Sequence, residues 1–204
     1  MRLICSVFLL AISISVFSQE EVFQKKIVKL EDALNSSDKL GVRISTCREI
    51  IEISFPDHLD FVLEYTKELM KLSEAANDVD SKAFAFFYMG EYFYRIDDFE
   101  NAEINYNEAL ILYQNLKKNS QIAQINQNLG LANHLLNQYD KALEFYQKSI
   151  EIFEDLGNKE KIAISYQDIG TLYFDLHKYT LAQHYSCVIA RTLELLAQCL
   201  HPPK

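Results

Sequence analysis

The sequence predicts an all-α fold in which pairs of helices repeat along the chain. Glycines recur at positions 90, 130 and 170, a period of 40 residues, and alanines recur at 102, 142 and 182. An aromatic residue stands three positions before each of these alanines, at 99, 139 and 179. The chain has 5 glycines and 3 prolines among 204 residues, too few for the many turns of an all-β fold.

Each 40-residue copy has the apolar spacing of two helices joined by a short polar turn, such as Asp97-Asp98. The second helix of each copy is predicted to begin at the aromatic residue. Gly90 and Ala102 are small, which lets two helices approach closely, and Tyr106 fills the space between one pair and the next. One pair cannot bury both of its faces, so the pairs are expected to stack.

This pattern resembles the tetratricopeptide repeat, whose signature of about 34 residues has Leu-Gly, an aromatic residue, and then Ala, aromatic and Ala. The matches are Met89-Gly90, Phe93, Ala102, Tyr106 and Ala109; Leu129-Gly130, Ala142 and Tyr146; and Ile169-Gly170, Tyr173 and Ala182. Asn133, Ser149 and the longer period depart from it. The extra residues are expected near "NLKKNSQ" and "DLGNKEK", as longer second helices and loops. The resemblance implies an α-solenoid, a right-handed superhelical array of antiparallel helix pairs.

The predicted organisation has six segments. A capping helix over 19–37 is indicated by an apolar stripe at Phe23, Ile27, Leu30 and Leu34. The segments are a signal peptide (1–18), the capping helix (19–37), a divergent repeat (38–80), two regular repeats (81–120 and 121–160), and a repeat with an aberrant second helix and tail (161–204).

The N-terminus has the features of a secretory signal. Arg2 precedes an apolar run from Leu3 to Phe17, and Val16 and Ser18 suit a cut before Gln19. The run is shorter than the roughly 20 residues that span a bilayer. We therefore expect an exported protein, periplasmic or extracellular, with no membrane insertion once the signal is removed. An uncleaved signal, the alternative, would tether it to the membrane.

The composition and the motifs of the sequence give no sign of a nucleic-acid-binding, catalytic or metal site. Lys and Arg number 20 against 29 Asp and Glu, a net charge of −9, which argues against nucleic-acid binding. No glycine-rich phosphate loop, HExxH or CxxC is present, and His177 and His184 lack a third ligand at helical spacing. The sequence predicts no enzyme activity, cofactor or metal. Its cysteines after the signal (Cys47, Cys187 and Cys199) are predicted to be small buried residues, and the last two cannot pair within one helix.

The family resemblance implies a binding site. In tetratricopeptide repeats the first helices line a concave groove that binds proteins or extended peptides. Carried onto this chain, with an aromatic end and an amide-rich middle, the groove positions are Phe84, Phe87, Tyr88, Glu91, Tyr94, Arg95, Gln124, Gln127, Asn128, Leu131, His134, Leu135, Ile164, Gln167, Asp168, Thr171, Phe174 and Asp175. An alternative is that Phe84 and Phe87 pack on the preceding repeat. One subfamily binds the C-terminal carboxylate of chaperones through basic and amide side chains in this groove. This chain lacks that pattern, since Glu91 and Asp168 stand at two of those positions and would repel a carboxylate.

Two functions fit these features. One is a binding scaffold of the cell envelope. The other is the truncated sensory region of a membrane-bound signalling protein, either a histidine kinase or a transcriptional regulator. The signal segment and the long repeats resemble the N-terminal regions of Bacteroidetes-type membrane sensors.

The last helix departs from the repeat pattern. Ser186 stands where the period predicts an aromatic residue, and Leu193, Leu196 and Leu200 would be exposed there, before Pro202-Pro203. The alternatives are a homodimer contact, an unusual cap or a shortened chain.

Overall fold

A computed structural model describes residues 20–55 and 57–200, with side chains as far as Thr192. The regular structure in these residues is helical, which confirms the all-α prediction. The predicted signal peptide (1–18), Pro56 and the Pro202-Pro203 end lie outside the described residues, as do the side chains of Leu193, Leu196, Cys199 and Leu200. The helices are α1 (20–36), α2 (Leu40–Ser54), α3 (Leu59–Ala76), α4 (Val79–Arg95), α5 (Phe99–Asn115), α6 (Asn119–Leu135), α7 (Tyr139–Asp155), α8 (Lys159–Asp175) and α9 (Tyr179–Leu200).

The chain divides into two compact units, Met1–Ser81 and Lys82–Lys204. In the first unit, helix α1 packs against α3 through the apolar stripe seen in the sequence. Ile27 and Leu34 are buried, and the ring of Phe23 stacks on that of His58 at 3.7 Å. The Tyr65 hydroxyl of α3 donates to Glu31 of α1 at 2.8 Å. A helix therefore covers the α2–α3 pair on its N-terminal side.

In the second unit the helices follow a regular spacing. Helices α5 to α9 begin at 99, 119, 139, 159 and 179, so each 40-residue repeat contains two helix-and-turn units of 20 residues. The residue with positive φ in each turn (Asp97, Lys117, Asn137, Gly157 and His177) lies in the left-handed region. The following amide then donates back to the ending helix, as Asp98 N does to Phe93 O at 2.9 Å. The turns are three residues long, so the extra repeat length lies in the helices and the prediction of longer loops is wrong.

Glycine and tyrosine together set the distance between the two helices of a repeat, whereas the sequence predicted the close approach at glycine but placed tyrosine between one pair and the next. A Cβ built on Gly90 would lie 2.5 Å from Cδ1 of Tyr106, and one on Gly130 would lie 2.5 Å from Cδ1 of Tyr146. Both tyrosine rings are buried in the cores of their repeats. A larger residue at either glycine would therefore push the ring away and separate the helices.

The last repeat differs where the sequence pattern changes. Tyr185, one position early, lies against Gly170 with its Cβ 3.4 Å from the built Cβ, and its ring stacks on Tyr173 at 5.5 Å. Ser186 is exposed and donates to the carbonyl of Ala182 at 3.2 Å. Tyr185 thus covers part of the space that Tyr106 and its equivalent fill upstream.

The cysteine prediction is partly wrong. Cys47 is buried, and burial raises its pKa to about 12, which suits an inert apolar residue. Cys187 is exposed, because the face of α9 that carries it is uncovered by other described residues. Cys187 and Cys199 both lie within α9, as expected, and are too far apart along one helix to bond.

Candidate functional site

The predicted binding residues of the second unit lie on α4, α6 and α8, and hydrogen bonds join these helices side by side. Between α6 and α8, Gln127 Nε2 donates to Asp168 Oδ2 at 2.8 Å, and Lys161 Nζ donates to Gln124 Oε1 at 2.8 Å. Between α4 and α6, Asn128 Nδ2 donates to Glu91 Oε1. We call the surface shared by these three helices the groove face.

Glu91 is the polar centre at the α4–α6 junction. Its Oε1 accepts from the hydroxyl of Tyr106 at 2.9 Å, in addition to the Asn128 amide. Burial raises the pKa of this carboxyl, although the Tyr106 hydrogen bond and the positive charges of Arg95 and Lys161 act to lower it. Two donors therefore hold a carboxyl group in a place with little access to water.

The equivalent position one repeat later lacks the carboxyl group that accepts the tyrosine hydrogen bond. Leu131 occupies the position of Glu91, and Asp168 occupies that of Asn128. The buried hydroxyl of Tyr146 consequently has no hydrogen-bond partner among the described residues. Burial raises the pKa of Asp168, against the effect of its hydrogen bond from Gln127 and of the nearby His134 and Lys161. These interactions of Asp168 therefore do not offset its loss of contact with water.

A pocket of about 490 Å³ opens towards the C-terminal ends of α6 and α8. Its apolar and aromatic lining consists of Tyr94, Leu131, Leu135 and Tyr139, and its polar lining consists of His134, Asn137, Thr171 and Asp175. His134 Nε2 lies 2.9 Å from Asp175 Oδ2 and closes one side. The Asp175 side chain keeps 49% of its surface exposed, so part of the carboxylate faces solvent.

The predicted groove residues differ in how much surface they present. Phe84, Gln127 and Asn128 are buried, so the amide-rich middle is used for bonds within the chain. Glu91 and Asp168 are half-buried. Arg95, Leu135, Ile164, Gln167, Thr171, Phe174 and Asp175 are exposed, and Phe87, Tyr88, Tyr94, Gln124, Leu131 and His134 are half-buried. Contact of any of these residues with a ligand stays a prediction.

The sequence argument missed Lys161, Tyr139 and the role of the tyrosine hydroxyls. Helix α8 begins at Lys159, ahead of Ile164, the first groove position predicted on this helix, and Lys161 contacts Gln124 across the groove face. The hydroxyl of Tyr106 reaches Glu91 from the second helix of the pair. The helical spacing of α8, continued upstream, could have revealed Lys161.

Outside the groove face, two histidines contact neighbouring tyrosines. His177 Nδ1 lies 2.8 Å from the hydroxyl of Tyr179, and the ring of His184 contacts Tyr185 edge-on. Across the described residues, no group of three or more His, Cys, Asp or Glu side chains could hold a metal ion. The same part of the chain contains no helix with both the length and the apolar character needed to cross a membrane.

The comparison with known families agrees with this geometry. The family model described as "Tetratricopeptide repeat" matches residues 81–155 and 121–187, which together span more than half of the chain. The chain belongs to the tetratricopeptide repeat family. No curated protein matches it significantly. The α-solenoid class and the family resemblance seen in the sequence are thereby confirmed.

Solved structures share this fold at low sequence identity. BtubC (BKLC) from P. vanneervenii is 17% identical with a TM-score of 0.78, over 92% of this chain and 78% of that one. A STAND signal-transduction ATPase with a tetratricopeptide repeat sensor, from Pyrococcus horikoshii, is 19% identical with a TM-score of 0.75, over 89% and 28%. Aspartyl phosphate phosphatase F from Bacillus subtilis is 15% identical with a TM-score of 0.76, over 89% and 47%. The chain thus spans less than half of the last two proteins.

Proposed function

We propose that this protein is a non-catalytic scaffold that binds another protein, or an extended peptide, on its groove face. The observation that carries the proposal is the pocket of about 490 Å³ at the C-terminal ends of α6 and α8, where the lining residues His134 and Asp175 of neighbouring repeats lie 2.9 Å apart. Because these side chains are already fixed, a ligand would lose little free energy in ordering the site.

The rim of the groove face offers apolar contact area beside polar groups. Leu135 is 47% exposed and Phe174 is 59% exposed, and Asp175 and Thr171 lie next to them. Exposed apolar and aromatic side chains of this kind supply much of the binding energy in protein interfaces. The repeat fold of this family is typically a non-catalytic binding scaffold, which supports the proposal.

A matched pair of substitutions tests the proposal. Leu135, at the end of α6, and Leu156, just after the end of α7, are 47% and 46% exposed. A partner is first captured from the native envelope fraction with the wild-type chain, and its affinity is then measured for Leu135→Glu and Leu156→Glu. We expect about a tenfold or greater loss for Leu135→Glu alone, since the new charge would lie inside the interface. Equal affinities for both variants would place the binding surface elsewhere.

The cellular setting is a further part of the proposal. The features of residues 1–18 support export to the periplasm or beyond. Cell fractionation with an antibody to the mature chain, together with N-terminal sequencing, tests this. Recovery of the intact N-terminus from the cytoplasm would contradict export.

A second candidate is the sensory region of a membrane-bound signalling protein. It is favoured by the structural likeness to a signal-transduction ATPase whose repeats are described as a sensor. In that case binding on the groove face should alter the activity of a signalling domain supplied by the same gene or by a partner. Partner identification by the capture experiment distinguishes the two candidates.

A further inference from the structure

The pocket on the groove face combines features that select a particular class of side chain. Tyr94 and Tyr139 supply aromatic surface, and Leu131 and Leu135 supply aliphatic surface. Asp175 at the rim carries the only permanent charge among the lining residues. A long apolar stem with a positive head group matches this combination, because the stem packs on the walls while the head reaches the carboxylate.

The hydrogen bonding of Asp175 leaves room for such a head group. Its Oδ2 is occupied by His134 Nε2 at 2.9 Å, and about half of the side chain is open to solvent. An arginine or lysine could donate to the remaining oxygen while its stem lies against Tyr94 and Leu131. Contact of a cation with an aromatic face would add to the ion pair.

The surroundings of the pocket also favour a cation. Asp168 lies two helical turns before Asp175 on α8, and burial raises its pKa because the adjacent Lys161 and His134 do not fully offset the loss of water. Lys161 already donates to Gln124. A positive group entering this part of the groove face would stabilise the charged form of Asp168, whereas an anionic ligand would meet two carboxyl groups.

We propose that this pocket binds the side chain of an arginine or lysine in an extended segment of the partner protein. The inference rests on the proposed function, since it names the residue that the groove face selects. It also predicts that binding weakens as salt concentration rises, because a partly exposed ion pair is screened.

The test uses a phage-displayed library of random 12-residue peptides as the probe and the full chain as the target. We expect the selected peptides to share a basic residue at one position. The best peptide is then synthesised with arginine and with citrulline, its uncharged analogue, at that position. Fluorescence anisotropy should show about a tenfold or greater loss for citrulline, and a similar loss for Asp175→Asn with the arginine peptide.

Controls separate the charge from the fold. Asp155, like Asp175, is the last residue of its helix, but it lies outside the pocket, so Asp155→Asn should leave affinity unchanged. Citrulline should cost nothing further on Asp175→Asn, because both changes remove the same ion pair. Circular dichroism of the variants checks that each one folds.

The outcomes distinguish this inference from the function on which it rests. Selected peptides without a basic residue, or binding that is insensitive to Asp175→Asn, would overturn the arginine or lysine assignment. If Leu135→Glu still abolishes binding in that case, the groove face remains the binding surface. Failure to select any peptide, or binding unaffected by Leu135→Glu, would overturn the proposed function as well.

Discussion

Replacing Gly130 by alanine would introduce a Cβ 2.5 Å from both Cδ1 and Cε1 of the Tyr146 ring. Favourable carbon–carbon contacts lie at about 3.5–4.0 Å, so the ring or the helix must move by roughly 1 Å. The ring has no free space to enter, because Tyr146 is 0% exposed within a packed cluster. The same contact at Gly90 and Tyr106 shows that this close approach is a repeated feature of the array.

The magnitude follows from two opposing effects. Overpacking of a well-packed core costs about 1–3 kcal/mol, and here the misfit is large. Alanine is favoured over glycine inside a helix by about 1 kcal/mol, which offsets part of that cost. We expect Gly130→Ala to lower the free energy of unfolding by roughly 1–2 kcal/mol, which is the upper part of the overpacking cost, about 2–3 kcal/mol, less the gain from helix preference.

Gly170 provides the matched control, since its nearest neighbour, Tyr185 Cβ, lies at an ordinary 3.4 Å. Gly170→Ala should therefore gain most of the helix preference and stabilise by up to about 1 kcal/mol. The two variants should differ by about 4–12 °C in Tm for a chain of this size, measured by circular dichroism. Truncating the ring with Tyr146→Leu should make Gly130→Ala tolerable. Equal stability of Gly130→Ala and Gly170→Ala would refute the account of helix spacing.

Three further predictions concern stability. Tyr106→Phe should lower the free energy of unfolding, measured in urea, by about 1.5–3 kcal/mol, because the Tyr106 hydroxyl donates to the buried carboxyl of Glu91. Tyr146→Phe should be neutral or stabilising, since the Tyr146 hydroxyl lacks a partner among the described residues. Equal losses for the two variants would contradict this difference. Gly157→Ala should lower the free energy of unfolding by about 1 kcal/mol, because φ at this turn residue is +67°. Gly41→Ala should raise it by about 0.5–1 kcal/mol, since Gly41 lies in helix α2 with open space around it. The reverse order of Tm values would be evidence against the turn geometry. Burial raises the pKa of Glu91 above 4.5, so the folded state holds its proton more tightly and stability should fall as pH rises through the range above 4.5. Glu91→Gln should remove that part of the pH dependence, and parallel Tm-against-pH curves for variant and wild type would contradict it.

The repeat frame was predictable because small and aromatic residues recur at fixed spacing. Gly130 lies at a close approach of two helices, as the pattern predicted, although the ring that it contacts is Tyr146 of its own repeat, and the second helices begin at Phe99, Tyr139 and Tyr179. These features depend on local spacing and on the small residue that recurs at the close approach of each helix pair. They can therefore be inferred from the sequence without knowledge of the rest of the chain.

The polar arrangement of the groove face was less predictable. Family positions predicted that Asn128 and Gln127 face a ligand, but Glu91 and Asp168 on neighbouring helices accept their hydrogen bonds. Such pairs join residues about 40 positions apart and depend on side-chain rotamers, which no periodic pattern specifies. The exposure of Cys187 was missed for a similar reason, because it depends on what covers the outer face of α9.

Site-specific photo-crosslinking tests the central claim, that the groove face binds the partner, most directly. Phe174 on α8 is 59% exposed, and Ile104 on α5 is 58% exposed, so a benzophenone side chain at either position would be equally accessible in the free protein. The account predicts that the captured partner is crosslinked from position 174 and not from position 104. Crosslinking from position 104 alone, or equally from both positions, would contradict it.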